Sequence, residues 1–326
     1  MSRPTHFDSL RCTFPLRTMA RNSFQQTNLP VTPLLRRIWA GIFPILLKTR
    51  NLRGEGEGGT TSLRRPNTGH GSCGTLVFIM FRLLCITAHP DDEAGAFGGT
   101  LALYADRGVE LSVVCLTAGT AARNRGAART DEELAALRIA EFQTSCAYLG
   151  IRHGEVLRYA DSKLDRANFP EVVGELVLRI RQLRPHVVLT FGQDGGLTGH
   201  LDHAMAGVFA TQAFHWAGRP DRYPEQISSG LQSHAAQKLY YATADYKLPD
   251  RMPTSPPTIT ARIAVGAERF ERKIQAFMKH QTQEPLFARL RRNLGRMPTQ
   301  EMFHLAATRE PHDAKFETDL FEGVQE

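Results

Sequence analysis

His89, Asp91, Asp92 and Glu93 stand together in the segment AHPDDE, residues 88–93, directly after the apolar run LLCIT. A second cluster, GQDGGLTGHLDH (192–203), follows HVVLTF and supplies Asp194, His200, Asp202 and His203. Three consecutive acids at the end of a buried run are costly to desolvate. A metal, a cationic substrate or open solvent must stabilise them. Two imidazoles and a carboxylate form a familiar zinc set, with three protein ligands and one position kept for water. A bound water's pKa falls toward about 7, and a further carboxylate can take the proton. On residue types alone, His89 and His203 are the nitrogen ligands. One of Asp91 and Asp92 is the oxygen ligand and the other is the base. Ferrous iron also suits such a set.

Each cluster has a bland alternative. HPDD fits a plain turn, since Pro and Asp are turn residues, and HxxH in a Gly-rich loop fits a surface turn. The functional reading gains weight because both clusters follow strand-like runs. His153, His186, His215 and His234 read as surface or core residues, and Cys85 and Cys115 as small packing hydrophobes.

The elements that must position these residues begin at residue 81. LLCIT (83–87), LSVVCLTAG (111–119), EVLRY (155–159), HVVLTF (186–191) and KLYYAT (238–243) read as strands. Helical spacing covers 99–108, 131–150, about 170–183, a stretch from near His203, and 268–281. Acids in the first turn of 131–150 and Gly150 after its end mark that helix's limits. Strands alternating with helices predict an α/β fold: a Rossmann-like, mostly parallel sheet with helices on both faces. In such a sheet ligands sit beyond the carboxyl ends of the strands, where both clusters fall.

The chain has 326 residues and a net charge of +7. Residues 1–79 hold eleven Lys or Arg against three Asp or Glu, which leaves 29 bases and 30 acids in the rest. The basic character therefore belongs to the N-terminal segment and is silent on what the body binds. No nucleic-acid reading motif occurs, so no nucleic-acid partner is expected. Residues 1–79 read as a disordered leader, with 80–310 as the folded domain and 311–326 as a C-terminal tail. Met80 immediately precedes the first strand and offers an alternative start; a transit peptide or surface anchor are the other readings of the leader. GEGEGG (54–59) spells GxGxxG but lacks the strand and helix the motif needs. Five cysteines, an odd number without a CxxC pair, predict a reducing, cytoplasmic setting. IWAGIFPILL (38–47) is too short to span a membrane and contains Pro44.

The segments LLCITAHPDDEAGAFGGTLALYADRG, ELAALRIAEFQTSCAYLGI, GGLTGHLDH and KIQAFMKHQTQ together resemble the LmbE-like, or PIG-L, family of zinc-dependent N-deacetylases. The resemblance spans roughly 81–305. It implies a Rossmann-like fold and hydrolysis of the acetamide of an N-acetylglucosamine unit in a small molecule or glycoconjugate. Substrates of the family include glucosaminyl-inositol and glucosaminyl-malate precursors and N-acetylglucosaminyl-phosphatidylinositol. It also implies His89, Asp92 and His203 as ligands of Zn2+ (or Fe2+) and Asp91 as general base. His200 corresponds to the group that stabilises the oxyanion and helps protonate the amine. Arg138 and Asp161 correspond to sugar contacts, and Asp202 to a residue orienting His200. Leu201 replaces the usual proline of the HPDH motif, and Thr198 stands where some relatives have tyrosine. Competing readings are a metal-dependent hydrolase of another amide or ester bond, and a sugar-binding relative that has lost turnover. Loops at 120–130, 160–170 and 217–236 are the expected specificity loops, and the three arginines of 120–129 suit an anionic aglycone or a solvated loop.

Overall fold

The computed structural model describes residues 80–247, 255–293, 299–311 and 315–325. The leader expected over 1–79 lies outside the described residues. The strands are β1 (Arg82–Thr87), β2 (Glu110–Thr117), β3 (His153–Tyr159), β4 (Val187–Phe191), β5 (Lys238–Thr243), β6 (Ala261–Ala264) and β7 (Gln300–Thr308). They form one sheet in the order β3-β2-β1-β4-β5-β7-β6. The first five are mutually parallel. β7 runs antiparallel to β5, and β6 antiparallel to β7. The expected mostly parallel sheet is therefore present, with an antiparallel edge that the sequence reading did not contain.

The central strands are apolar on both faces because both faces are covered. In β1, Leu83 and Cys85 enter one core while Leu84 and Ile86 enter the other. The first core is closed by α2 (Gly98–Asp106), α3 (Asp131–Leu149) and α7 (Gly266–Phe277), through residues such as Leu101, Phe142 and Ala276. The second is closed by α4 (Phe169–Leu183) and α5 (Leu201–Ala217), through Val173, Leu176, Phe209 and Ala213. Local chemistry sets the helix limits. Thr130 and Glu133 form a reciprocal capping box at the start of α3, and Gly150 ends it at φ 81°. Three short helices complete the set: α1 (Asp92–Gly95), α6 (Pro224–Ser228) and α8 (Glu284–Asn293).

From β1 the chain builds outward through β2 and β3 on one side and later through β4 and β5 on the other. The switch point lies between β1 and β4, and a crevice opens beyond their carboxyl ends. Residues 88–93 and 192–203 follow those two ends. The 217–236 segment does not reach the crevice, which corrects its expected place among the specificity loops. α5 carries the chain back against the strand direction, so this loop sits at the strands' amino ends. There His234 Nε2 lies 2.7 Å from Pro185 O. The buried Arg181 guanidinium also binds the carbonyls of Ala217, Arg219, Arg222 and Tyr223 there.

The segment set off as a tail packs into the domain. Leu320 is fully buried, and Lys238 Nζ donates to Glu317 Oε1 at 2.5 Å. β7 has a similar anchoring role. It delivers Glu301 to the amino end of α2, where the carboxylate accepts from Gly99 N (3.0 Å) and Thr100 N (2.8 Å) and pairs with buried Lys273 at 2.6 Å. An anion suits that helix end. Removing one partner of a buried ion pair costs about 3–5 kcal/mol because the other charge is left unpaired. Glu301→Ala is expected to lose stability of that order. Glu301→Ala combined with Lys273→Met is expected to lose less than the sum of the single changes, measured by urea denaturation.

Candidate functional site

The crevice floor is Asp92. Its Oδ2 accepts from Ala88 N (3.1 Å) and His89 N (2.8 Å), which folds the turn after β1 back on itself. Its Oδ1 lies 3.1 Å from His203 Nε2 on α5. His89 Nδ1 is 3.7 Å from Asp92 Oδ2. The two clusters, more than a hundred residues apart in sequence, thus meet on one carboxylate. Burial alone raises the Asp92 carboxyl, but His203 and His89 beside it hold it well below the usual carboxylate range.

Each imidazole is fixed through its other nitrogen. His89 Nε2 faces Asp161 Oδ1 (3.1 Å) and Asp202 Oδ2 (3.3 Å). Burial lowers the His89 pKa, and these two carboxylates more than offset that, raising it to about 10. His203 stacks on Phe191, with ring centroids 4.1 Å apart and planes 7° apart, and its Nδ1 is 3.2 Å from Thr198 Oγ1. His200 caps α5: its Nδ1 accepts from Asp202 N at 3.1 Å, so its ring proton is on Nε2. Burial, then the neighbouring His89 and His203, lowers the His200 pKa. The nitrogens of His89, His200 and His203 form one group with metal-ligand spacing, and His89, Asp161 and Asp202 form another. Asp194 belongs to neither of these groups.

Asp91 stands beside this cluster with φ 115° and ψ −23°, in left-handed space that a non-glycine residue rarely occupies. Its carboxylate meets Arg138 Nη2 at 3.2 Å. Burial pushes the Asp91 carboxyl up to about 6; Arg138 pulls against this and Asp92 adds to it. Arg138, expected at the sugar, is buried behind Asp91 and also donates to Pro90 O and Gly119 O. Asp161, expected likewise, accepts from Ala121 N at 2.7 Å and faces His89. Asp202, expected to orient His200, does so through its backbone N–H, and its carboxylate goes elsewhere. Its carboxylate accepts from Ser162 N (2.7 Å) and Leu164 N (3.2 Å) and faces His89; only its backbone N–H reaches His200. The 160–170 loop holds it there, with Ser162 N on Oδ2 and Leu164 N on Oδ1.

The sequence reading assigned no role to Glu93, Ser145, Thr198 or His280. Thr198 was visible as a departure from the tyrosine of relatives, and His280 as part of KIQAFMKHQTQ; Ser145 carried no signal. Leu201, in place of proline, is 54% exposed at the first position of α5, so the change leaves the buried side of the loop intact.

A family model described as PIG-L: GlcNAc-PI de-N-acetylase matches residues 84–214. The 1D-myo-inositol 2-acetamido-2-deoxy-alpha-D-glucopyranoside deacetylase 2 of Catenulispora acidiphila is 31% identical over 297 residues, covering 74% of this chain and 97% of that protein. The diacetylchitobiose deacetylase of Thermococcus kodakarensis is 33% identical over 162 residues, 49% of this chain and 60% of that protein. Among solved structures, the N,N'-diacetylchitobiose deacetylase of Pyrococcus horikoshii aligns with a TM-score of 0.57 at 23% identity, over 69% of this chain and 83% of that one. The fold is thus shared with that solved structure, and the chain belongs to the PIG-L family.

Gly119 is required by the arrangement around Arg138. It has φ +68°, and a Cβ there would sit 2.2 Å from Arg138 Nη1. Gly119→Ala therefore adds left-handed strain of about 1–3 kcal/mol to displacement of the guanidinium. The expected result is a lowered urea midpoint together with reduced turnover.

Proposed function

We propose that this protein is a divalent-metal-dependent hydrolase that removes the N-acetyl group from an N-acetylglucosamine unit of a small molecule or glycoconjugate. The observation that carries the reading is that Asp92 faces His203 at 3.1 Å and His89 at 3.7 Å, with the His200 ring against both histidines. Membership of the PIG-L family supports the same chemistry.

The donor set fits a metal. His89 Nε2 is engaged by Asp161 and Asp202, which leaves Nδ1 toward Asp92. A proton on His203 Nδ1, given to Thr198, leaves Nε2 toward Asp92. Backing of this kind on the distal nitrogen fixes a ligand's tautomer and orientation. His89, Asp92 and His203 would hold the ion, and zinc is the default for two imidazoles and a carboxylate, with ferrous iron also accommodated. A bound ion supplies Lewis acidity and lowers the pKa of water.

The remaining steps belong to side chains. Asp91 takes a proton from water, in reach of the reacting carbonyl carbon. His200, with its proton on Nε2, donates to the oxygen that becomes negative as water adds. One such preorganised donor contributes about 3 kcal/mol. The proton then passes to the departing nitrogen, which leaves as a free amine with acetate as the other product. Asp161 and Asp202 hold His89, and Arg138 holds Asp91. In this reading the two carboxylates and the guanidinium act on the site's own side chains, and the sugar contacts come from the adjoining 118–130 and 160–168 loops. Among the described residues no helix is long and apolar enough to cross a membrane, and no organic cofactor is required.

The test is metal content and amine release, with N-acetylglucosamine, N,N'-diacetylchitobiose and an N-acetylglucosaminyl-inositol supplied in parallel. About one zinc or iron per chain and amine from at least one substrate are expected. Metal without amine from any of them would redirect the search to other acyl bonds, and a folded chain that takes up no metal would remove the reading. Asp91→Ala is expected to keep its metal and lose turnover by a factor on the order of 10²–10⁴. His203→Ala is expected to lose the metal, measured by elemental analysis after dialysis. Thr198→Val is expected to weaken metal affinity about tenfold or more, measured by competition with a chelator.

A further inference from the structure

Behind Asp91, on the side away from the crevice, lies a polar network that the proposed chemistry does not use. Glu93 is fully buried. Its Oε1 accepts from Ser145 Oγ at 2.6 Å and meets His280 Nε2 at 2.7 Å. Its Oε2 accepts the backbone N–H of Asp91 at 3.0 Å. Glu93 belongs to α1, Ser145 to α3, and His280 to the turn after α7, so three separate elements converge on one carboxylate. His280 is itself fully buried, and its Nδ1 has no hydrogen-bond partner among the described residues.

Such a network is an expensive way to fill space. A buried carboxylate and imidazole carry a desolvation penalty that well-packed apolar side chains would avoid, and an orphaned ring nitrogen adds to it. What the network does hold is the Asp91 peptide. At φ 115° Asp91 carries strain of about 1–3 kcal/mol that persists only where the surroundings over-determine it. Three contacts do so here. Glu93 takes the Asp91 N–H, Gly95 N donates to Asp91 O at 2.7 Å, and Arg138 binds both Pro90 O and the Asp91 carboxylate. The Gly95 bond is a turn of α1 and would form at many side-chain orientations. Glu93 and Arg138 set the aim, and Glu93 is in turn fixed by Ser145 and His280.

We infer that Glu93, Ser145 and His280 are positioning residues that hold Asp91 in its left-handed conformation and so aim its carboxylate at the crevice. The inference rests on Asp91 being the base. It also gives a physical role to the histidine of KIQAFMKHQTQ, which is nearly two hundred residues from Asp91 in sequence. Displacement of a reacting group by about 1 Å can cost on the order of 10²-fold in rate. A positioning defect therefore appears in kcat while substrate binding and metal uptake persist.

The test compares His280→Ala, His280→Gln and Ser145→Ala in the full chain, each by crystal structure, metal content and steady-state kinetics on whichever substrate the wild type turns over. His280→Gln keeps an N–H donor for Glu93 Oε1, whereas His280→Ala does not. In His280→Ala the Asp91 backbone is expected to leave φ near 115°, with metal content unchanged. Its kcat is expected to fall tenfold or more, with KM within about twofold. His280→Gln is expected to recover most of both. Ser145→Ala, a small change that keeps the fold if His280→Ala does not, is expected to show a weaker defect of the same kind. Asp91 unmoved in His280→Ala would overturn the inference, as would equal defects in His280→Ala and His280→Gln. If the wild type releases no amine from any substrate, the deacetylase reading fails, and the Asp91 conformation in the variants still decides the positioning role.

Discussion

The carboxylate of Asp92 is the joint on which the site is assembled. One oxygen ties down the backbone of Ala88 and His89, and the other meets His203 on α5. The first interaction is local and shapes the turn after β1. The second is long-range and exists only because β1 and β4 are neighbours in the sheet. The two histidine-bearing loops also touch where His89 Nε2 faces Asp202 Oδ2 at 3.3 Å. The strong depression of the Asp92 carboxyl is the electrostatic signature of the same arrangement: a buried acid kept charged by two imidazoles.

Around that joint the structure solves a charge problem. Asp91, Asp92, Glu93, Asp161 and Asp202 crowd into one small region, and each would be costly to bury alone. Each is given its own set of donors. Asp92 has two backbone amides and His203; Asp161 and Asp202 share His89 and three backbone amides; Glu93 has Ser145, His280 and the Asp91 amide. Among the described residues the Asp91 carboxylate is bound by Arg138 alone, and its pKa is raised where that of Asp92 is lowered. Two adjacent aspartates thereby acquire opposite properties. The difference lies in partners, since the residue types are identical.

The same logic explains how remote segments contribute. β7, at the antiparallel edge, brings Glu301 to the first turn of α2, the helix that follows the site loop. The turn after α7 brings His280 to Glu93. Both come from the last quarter of the described chain, and both act as supports for the AHPDDE turn or its neighbour. The fold is shared with a solved diacetylchitobiose deacetylase, but a fold hosts many chemistries; the function proposed for this protein rests on side chains at the strand ends.

Much of this was legible in the sequence. The central strands β1, β2 and β4 were readable because they are continuous apolar runs, and a strand buried on both faces can be little else. The two clusters were readable because their residue types are costly at a strand end unless they bind something. Their place at one edge followed from the rule for parallel sheets. The antiparallel pair β6 and β7 was not readable, since β6 has only four residues and the burial along β7 follows no clean period. The partner of each nitrogen and oxygen was not readable either. The family resemblance implies that Asp202 orients His200; its backbone N–H does, but its carboxylate faces His89 and accepts two amides of the 160–170 loop. Arg138, expected as a sugar contact, is buried behind Asp91; Ser145 carried no signal. Sequence determines which groups are available and which end of the sheet they reach, because periodicity and residue cost are local. Only the tertiary structure decides which group faces which, because hydrogen-bond partners are chosen among all segments that converge on one buried point.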